Sequence, residues 1–259
     1  MINRNENLSA ETKKQTIKKD TPTMYAERIK TVLTQNNVPV NTPQAELLSR
    51  YLTELLETNR TMNLTAIRDP EEAILKHIAD CGICAAAIPP KADLLDVGSG
   101  AGLPAFPFAI LRPDIKVTAL DSTGKKVDFI AETAKKLELP NLRAICSRAE
   151  DLAKDRSYRE RYTAVSARAV ARMNILSELC LPFLKVGGVF LAMKSRLADE
   201  ELTEALSGIG TLGGKPREIR RFSLVGGEEA DRCLILVDKR AHTPPQFPRV
   251  YTRIAAKPL

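Results

Sequence analysis

The stretch Leu94-Leu95-Asp96-Val97-Gly98-Ser99-Gly100-Ala101-Gly102-Leu103-Pro104 constrains this chain more than any other. It reads as a short buried strand, a glycine-rich turn and the start of a helix. Gly98, Gly100 and Gly102 permit backbone angles that side chains forbid and let a ligand approach the main chain closely. A helix that starts there offers backbone N–H groups to polar or anionic ligand groups. In an α/β sheet the natural occupant of such a turn is a nucleotide-like cofactor. Any tight strand-to-helix turn can use glycine, so the turn alone does not name the ligand.

The pattern around the turn sets the fold class. From Asp93 onward strands and helices alternate. The strands are expected over Leu94–Val97, Lys116–Leu120, Leu142–Cys146, Ala164–Ala167 and Val189–Met193, and the helices over Leu103–Leu111, Lys125–Leu137, Ala149–Arg156, Ala171–Leu184 and Ala198–Leu206. Alternation of this kind gives a mainly parallel sheet covered on both faces. After Gly213-Gly214 the pattern changes to two strands, Glu218–Val225 and Arg232–Val237, joined near Gly226-Gly227 as a closing hairpin.

Before the turn lie helical patterns: one over Thr23–Asn36, a second opening at Thr42-Pro43 and a third at Asp69-Pro70-Glu71-Glu72. Leu47, Leu48, Tyr51, Leu52, Leu55 and Leu56 form an apolar stripe on the second, read as packing on a core. Four regions follow: a disordered polar tail (1–22), an N-terminal helical subdomain (23–90), the main α/β domain (91–240) and a Pro-rich basic tail (241–259) lying along the surface. A hydrophobic share of 44% in 259 residues fills one substantial core, and no apolar run reaches the length of a membrane span. The N-terminus carries no apolar signal core, and five cysteines form no secreted framework, so a cytoplasmic protein is expected. The net charge is +7, and from Lys215 onward there are ten Lys/Arg against five Asp/Glu. A polyanionic partner, RNA or DNA, and a merely solvated surface both fit that excess.

Asp121 closes the second strand, where an acid meets ribose hydroxyls. NAD and S-adenosylmethionine both suit an adenosine site of this kind. The dinucleotide fingerprint needs glycine three places after its second glycine. Here position 103 is Leu and position 105 is Ala, so neither register exists. Asp96, just before the turn, disfavours a pyrophosphate and can organise the loop around a cationic amino-acid moiety. These residues favour S-adenosylmethionine.

The stretch Asp96–Pro104 resembles the signature of the RsmG (GidB) family, which methylates N7 of a guanine in bacterial 16S ribosomal RNA. Further pieces match in order: Asn63-Leu64-Thr65, Arg68-Asp69-Pro70, His77-Ile78-x-Asp80, Asp121-Ser122 with Lys125-Lys126-Val127, Ser147-Arg148-Ala149-Glu150, Ser166-Ala167-Arg168-Ala169 and Met193-Lys194. The resemblance spans roughly Val38 to Lys239. It implies a class I S-adenosylmethionine-dependent methyltransferase fold, Rossmann-like, with a seven-stranded sheet whose last strand is antiparallel. It implies that Gly98 and Leu103, beside the turn glycine Gly100, line the methionine side of the cofactor. By the same resemblance Asp121, Ser122 and Thr123 hold the ribose, Ala149 and Glu150 the adenine, and Arg168 faces cofactor and substrate as the catalytic residue. Ala105, Cys81 and Ser195 depart from the family's usual glycine, serine and glycine.

Guanine N7 carries a lone pair and no proton, so in-line methyl transfer to it needs positioning rather than a general base. The sequence agrees, with two histidines and no Ser-His-Asp or Cys-His grouping. His77, Cys81 and Cys84 recur on one helix without a second ligand pair, which reads as a buried face and no metal site. The implied partner is 16S rRNA, unpaired at the target and within an assembling small ribosomal subunit, met by a monomer with no membrane involved. Arg196, Lys215, Arg217, Arg220, Arg221, Arg249 and Arg253 are the basic candidates, some of them expected to neutralise phosphates. The rival readings are an NAD-dependent oxidoreductase and a non-catalytic RNA-binding protein with a methyltransferase-like fold.

Overall fold

The computed structural model describes residues 24–195, 197–227 and 232–259. The expected tail at 1–22 and Arg196 lie outside the described residues.

Seven strands form one sheet among the described residues: β1 (Asp93–Val97), β2 (Lys116–Asp121), β3 (Leu142–Cys146), β4 (Tyr162–Arg168), β5 (Leu184–Ser195), β6 (Gly214–Phe222) and β7 (Arg232–Lys239). Their order is β3-β2-β1-β4-β5-β7-β6. β1 to β5 pair in parallel, and β7 runs antiparallel between β5 and β6. The strand order reverses between β1 and β4, so a crevice opens at their carboxyl ends, where open α/β sheets bind ligands.

The strands alternate with α5 (Ala105–Leu111), α6 (Gly124–Lys136), α7 (Ala149–Leu152), α8 (Met173–Cys180) and α9 (Ala198–Thr211). Period-two alternation divides the side chains between two apolar clusters. Leu94, Val117, Ala164 and Leu191 face one, shared with α5, α6 and the N-terminal helices α1 (Ala26–Gln35), α2 (Thr42–Met62), α3 (Pro70–Ala73) and α4 (Asp80–Ala85). Leu95, Leu120, Val165 and Phe190 face the other, shared with α7, α8, α9 and α10 (Tyr251–Ala256).

Several expected boundaries move. The cap of α2 is Asn41, whose side chain accepts from Gln44 N–H while the Gln44 side chain accepts from Asn41 N–H. The third helix begins at Pro70 with Asp69 as its cap, then widens to a π-helix over Ile74–Ala79 before α4. The helix expected to end at Arg156 stops at Leu152, and that expected to end at Leu206 runs on to Thr211. β6 starts four residues earlier than expected and contains Pro216, tolerated because β6 is an edge strand with a register shift there. The C-terminal tail does not lie loosely on the surface. It buries Phe247 and Ile254 in the second cluster and ends in α10.

Candidate active site at the carboxyl ends of β1, β2 and β4

The glycine turn is held by its own frame. Gly98, Gly100 and Gly102 have φ of 73°, 58° and 81°, a region that penalises any Cβ. A Cβ on Gly98 would stand 2.5 Å from Val170 Cγ2, and one on Gly102 would stand 2.4 Å from the Phe106 ring. The N–H groups of Gly98 and Ser99 donate to Leu120 O at 2.8 and 3.0 Å. Those of Gly102 and Leu103 donate to Ser99 O at 2.8 and 2.9 Å. Gly100 N–H donates to Asp121 Oδ2 at 2.9 Å. Five of the turn's N–H donors are therefore engaged by the protein itself, which suits a pyrophosphate poorly. From α2, Tyr51 stacks on Phe106 at 4.4 Å between centroids and donates its hydroxyl to Ala101 O at 2.9 Å. The N-terminal helices thus brace the turn directly.

Beneath the turn sits Asp96, fully buried. Its Oδ2 accepts from Ser99 Oγ at 2.5 Å and its Oδ1 from Ser166 Oγ at 2.8 Å. Burial pushes its carboxyl up to about 6, against the opposing pull of the two hydroxyls, Arg168 and the Ala105 N–H. Asp96 organises the loop from below, tying β1 to the turn and to β4.

A cavity of roughly 290 Å³ opens beside the turn. Val97, Gly98, Leu120, Asp121, Ser122 and Thr123 form one wall at the ends of β1 and β2. Ser147 and Arg148, after β3, and Ala149 and Glu150 of α7 form the far end. Ala169, Val170 and Leu179 close the β4–α8 side, with Lys126 and Tyr251 completing the lining. So the structure brings Gly98, Asp121, Ser122, Thr123, Ala149 and Glu150 to one cavity. Gly100 stands just behind it, bonded to Asp121. Leu103 is packed into the first apolar cluster rather than lining the cavity.

Arg168 also stands outside the cavity lining, for a geometric reason. Alternation along β4 sends Ala167 into the second cluster and Arg168 towards the N-terminal helices. Its Nη1 donates to Lys76 O at 3.0 Å and to Asp80 Oδ2 at 3.3 Å, and its Nη2 contacts His77 Nδ1 at 2.9 Å. Burial and the adjacent guanidinium push His77 down to about 3, so the ring is neutral and accepts at Nδ1. Its Nε2 then donates to Thr65 Oγ1 at 2.8 Å. Thr65, His77 and Asp80 stand in the motif pieces shared with the family, but nothing in their spacing says that they converge on Arg168.

The donor set fits an adenosine-type cofactor carrying a cationic amino-acid moiety. A Cβ on Gly100 would meet nothing nearer than Gly98 O at 3.9 Å, so the chain is open to a ligand there. Asp121 accepts one backbone N–H on each oxygen, from Gly100 and Thr123, and keeps further lone pairs for vicinal hydroxyls.

A sequence profile of the GidB family, described as rRNA small subunit methyltransferase G, matches residues 44–226. The chain belongs to this family. A ribosomal RNA small subunit methyltransferase G from Lactobacillus delbrueckii subsp. bulgaricus is 42% identical over 243 residues, covering 92% of this chain and 99% of its own length. One from Oceanobacillus iheyensis is 42% identical over 228 residues, covering 87% and 95%. Among solved structures, M. jannaschii TYW2 in complex with AdoMet aligns at TM-score 0.49 with 15% identity, covering 63% of this chain and 76% of that one. GidB membership makes the chain an S-adenosylmethionine-dependent methyltransferase and excludes the oxidoreductase reading.

The basic residues singled out in the sequence are in several cases paired within the protein. Arg217 pairs with Asp238, Arg220 with Glu218, Arg221 with Asp199 and Arg249 with Glu178. Asp199 and Glu178 come from outside the basic C-terminal stretch, so they offset two charges of its excess. Lys126 and Arg148, by contrast, stand at the cavity itself.

Among the described residues no helix is long and apolar enough to cross a membrane.

Proposed function

We propose that this chain methylates N7 of a guanine in 16S ribosomal RNA, from S-adenosylmethionine and without a general base. The observation that carries the reading is the cavity beside the Asp121-tethered glycine turn, in a chain of the GidB family. When bound, the cofactor supplies a sulfonium methyl that a guanine N7 lone pair takes in line, with no proton to remove first.

The protein's own residues do the rest by positioning. Asp121, Ser122 and Thr123 orient the ribose, Ala149 and Glu150 border the adenine, and Gly98 and Gly100 shape the methionine side. Arg168 stands at the end of β4, next to Ala169 and Val170 in the cavity wall. Among the described residues its Nε–H makes no hydrogen bond, and an arginine N–H suits the O6 acceptor that flanks N7. The groups around Arg168 that could move a proton are engaged or silenced. His77 uses both ring nitrogens, and burial pushes the Cys81 thiol up to about 12.

N7 lies on the major-groove edge, which A-form RNA hides, so the substrate is an unpaired or distorted segment in an assembling small subunit. The cavity is built from a single chain, and the reading takes the enzyme as a cytoplasmic monomer.

The test uses the full chain, methyl-labelled S-adenosylmethionine, and 16S rRNA from a strain lacking this protein, offered naked and in particles. The reading expects label on one guanine, cleavable by the borohydride–aniline treatment that detects N7-methylguanine. Label on an exocyclic amine, or none in either substrate, would overturn it.

A further inference from the structure

Tyr251 lines the cofactor cavity although it belongs to the C-terminal tail, beyond the residues matched by the family profile. It enters from the α8 side. α10 packs on α8, as does α7, which contributes Ala149 and Glu150 to the same cavity. Its side chain is conspicuous for what it does not do. The residue is 41% exposed, and among the described residues neither its ring nor its hydroxyl has a hydrogen-bond or ring partner.

The segment that carries this ring is fastened at several points by charged groups, two of them fully buried. Glu178 of α8, fully buried, accepts from Arg249 N at 2.7 Å, Nε at 2.9 Å and Nη2 at 2.6 Å. Arg159 donates to the carbonyls of Thr243, Pro244 and Phe247 at 2.8, 3.2 and 2.7 Å. Lys239, fully buried, donates to Leu181 O and Leu212 O at 3.0 and 2.9 Å and to the Thr243 hydroxyl. Buried ions are costly unless paired, so these ties fix the path of the tail. They also fix where Tyr251 stands, two residues after Arg249.

We propose that Tyr251 is a cofactor-binding residue whose ring covers the adenine of S-adenosylmethionine. The inference rests on the cofactor reading of this cavity. A purine presents a π-face that an aromatic ring can cover, and an otherwise idle tyrosine in the wall of this cavity supplies one. Arg249, Arg159 and Lys239 are positioning residues, acting through the tail. In this chain the cofactor site is thus completed by a segment outside the seven-stranded sheet and its crossover helices.

The experiment titrates S-adenosylhomocysteine into the full chain by calorimetry and compares Tyr251→Ala and Tyr251→Phe. Binding is expected to weaken about tenfold for Tyr251→Ala, the loss of one base–aromatic stack, and to stay within about twofold for Tyr251→Phe. The ligand-free melting midpoint should move little, because the ring is exposed. The chain has no tryptophan, so Tyr251→Trp gives a single emission reporter at this site. Its emission should change on saturation with S-adenosylhomocysteine. Unchanged affinity in a folded Tyr251→Ala overturns the proposal; if that variant does not fold, silent emission from Tyr251→Trp overturns it. A wild-type chain that binds no S-adenosylhomocysteine defeats the cofactor reading itself, and this inference with it.

Discussion

Two polar clusters are buried between the sheet and the N-terminal helices, and they hold the same region by opposite means. Beneath the glycine turn, the anion Asp96 is satisfied by the hydroxyls of Ser99 and Ser166. At the end of β4, the cation Arg168 is satisfied by a carboxylate, a carbonyl and a neutral imidazole. The Asp96 cluster ties β1 to its own turn and to its registered neighbour, since Asp96 pairs with Ser166 across β1 and β4. The Arg168 cluster ties the sheet to a different layer, the π-helix between α3 and α4. The first shapes the loop that a cofactor meets. The second fixes how the N-terminal helices stand over the end of β4.

The comparison is broken hardest at Arg168. Arg168→Ala strips Asp80, which is 5% exposed, of its nearest cation and leaves Arg232 Nε 4.0 Å away. If Arg168 is the catalytic residue that the family resemblance implies, methylation vanishes with it. The structure adds a stability cost of about 3 to 5 kcal/mol, measurable by urea unfolding. A loss below about 1 kcal/mol would show that the cluster is not a structural tie.

Asp96→Asn comes next. The amide keeps one acceptor where Ser99 and Ser166 need two, so stability should fall by about 2 kcal/mol. Affinity for S-adenosylhomocysteine should fall with it, because the loop loses its lower support. Unaltered affinity in a folded variant would detach Asp96 from the cofactor site.

The glycines sharpen the contrast at smaller cost. Gly98→Ala places a Cβ against Val170 at a φ of 73° and should cost about 1 to 3 kcal/mol by denaturant titration. Gly124, at the start of α6, has nothing within 4 Å of an added Cβ. Gly124→Ala should be neutral or stabilising by about 0.5 kcal/mol. Equal effects at the two positions would contradict the account of the turn.

The smallest net effect is expected in pH, because the clusters oppose each other. His77 is pushed from 6.5 down to about 3, so its contribution is complete above pH 6.5 and is lost as pH falls towards 3. Asp96 is pushed from 3.8 up to about 6, so its contribution is complete below pH 3.8 and is lost as pH rises through 6. Between pH 4 and 6 the two slopes partly cancel. Asp96→Asn should steepen the rise of stability with pH in that window, and His77→Gln should reverse it. Parallel profiles for the two variants would refute the assignment.

These contrasts also explain what the sequence could reveal. The strand–turn–helix at Asp96–Pro104 and the acid at Asp121 are legible because glycine, acid and apolar run are local signals at fixed spacing. The parallel sheet follows from alternation, and its antiparallel last strand from the family resemblance. The convergence of His77 and Asp80 on Arg168, about ninety residues apart, carries no local signature. Nor does the π-helix that aims them, which periodicity renders as ordinary helix. Tyr251 was illegible for a related reason. Its role depends on ties between Arg249 and Glu178, 71 positions apart, and a proline-rich tail reads as surface until its buried anchors are seen. The carboxylates folded against Arg217, Arg220, Arg221 and Arg249 are equally illegible in a count of charges.

The central claim is that the turn tethered by Asp121 takes an adenosine-bearing sulfonium donor. Calorimetric titration of the full chain with S-adenosylhomocysteine and, separately, with NAD tests it most directly. The account predicts saturable one-to-one binding of S-adenosylhomocysteine and no measurable heat from NAD. Binding of NAD in preference, or of neither, would contradict it.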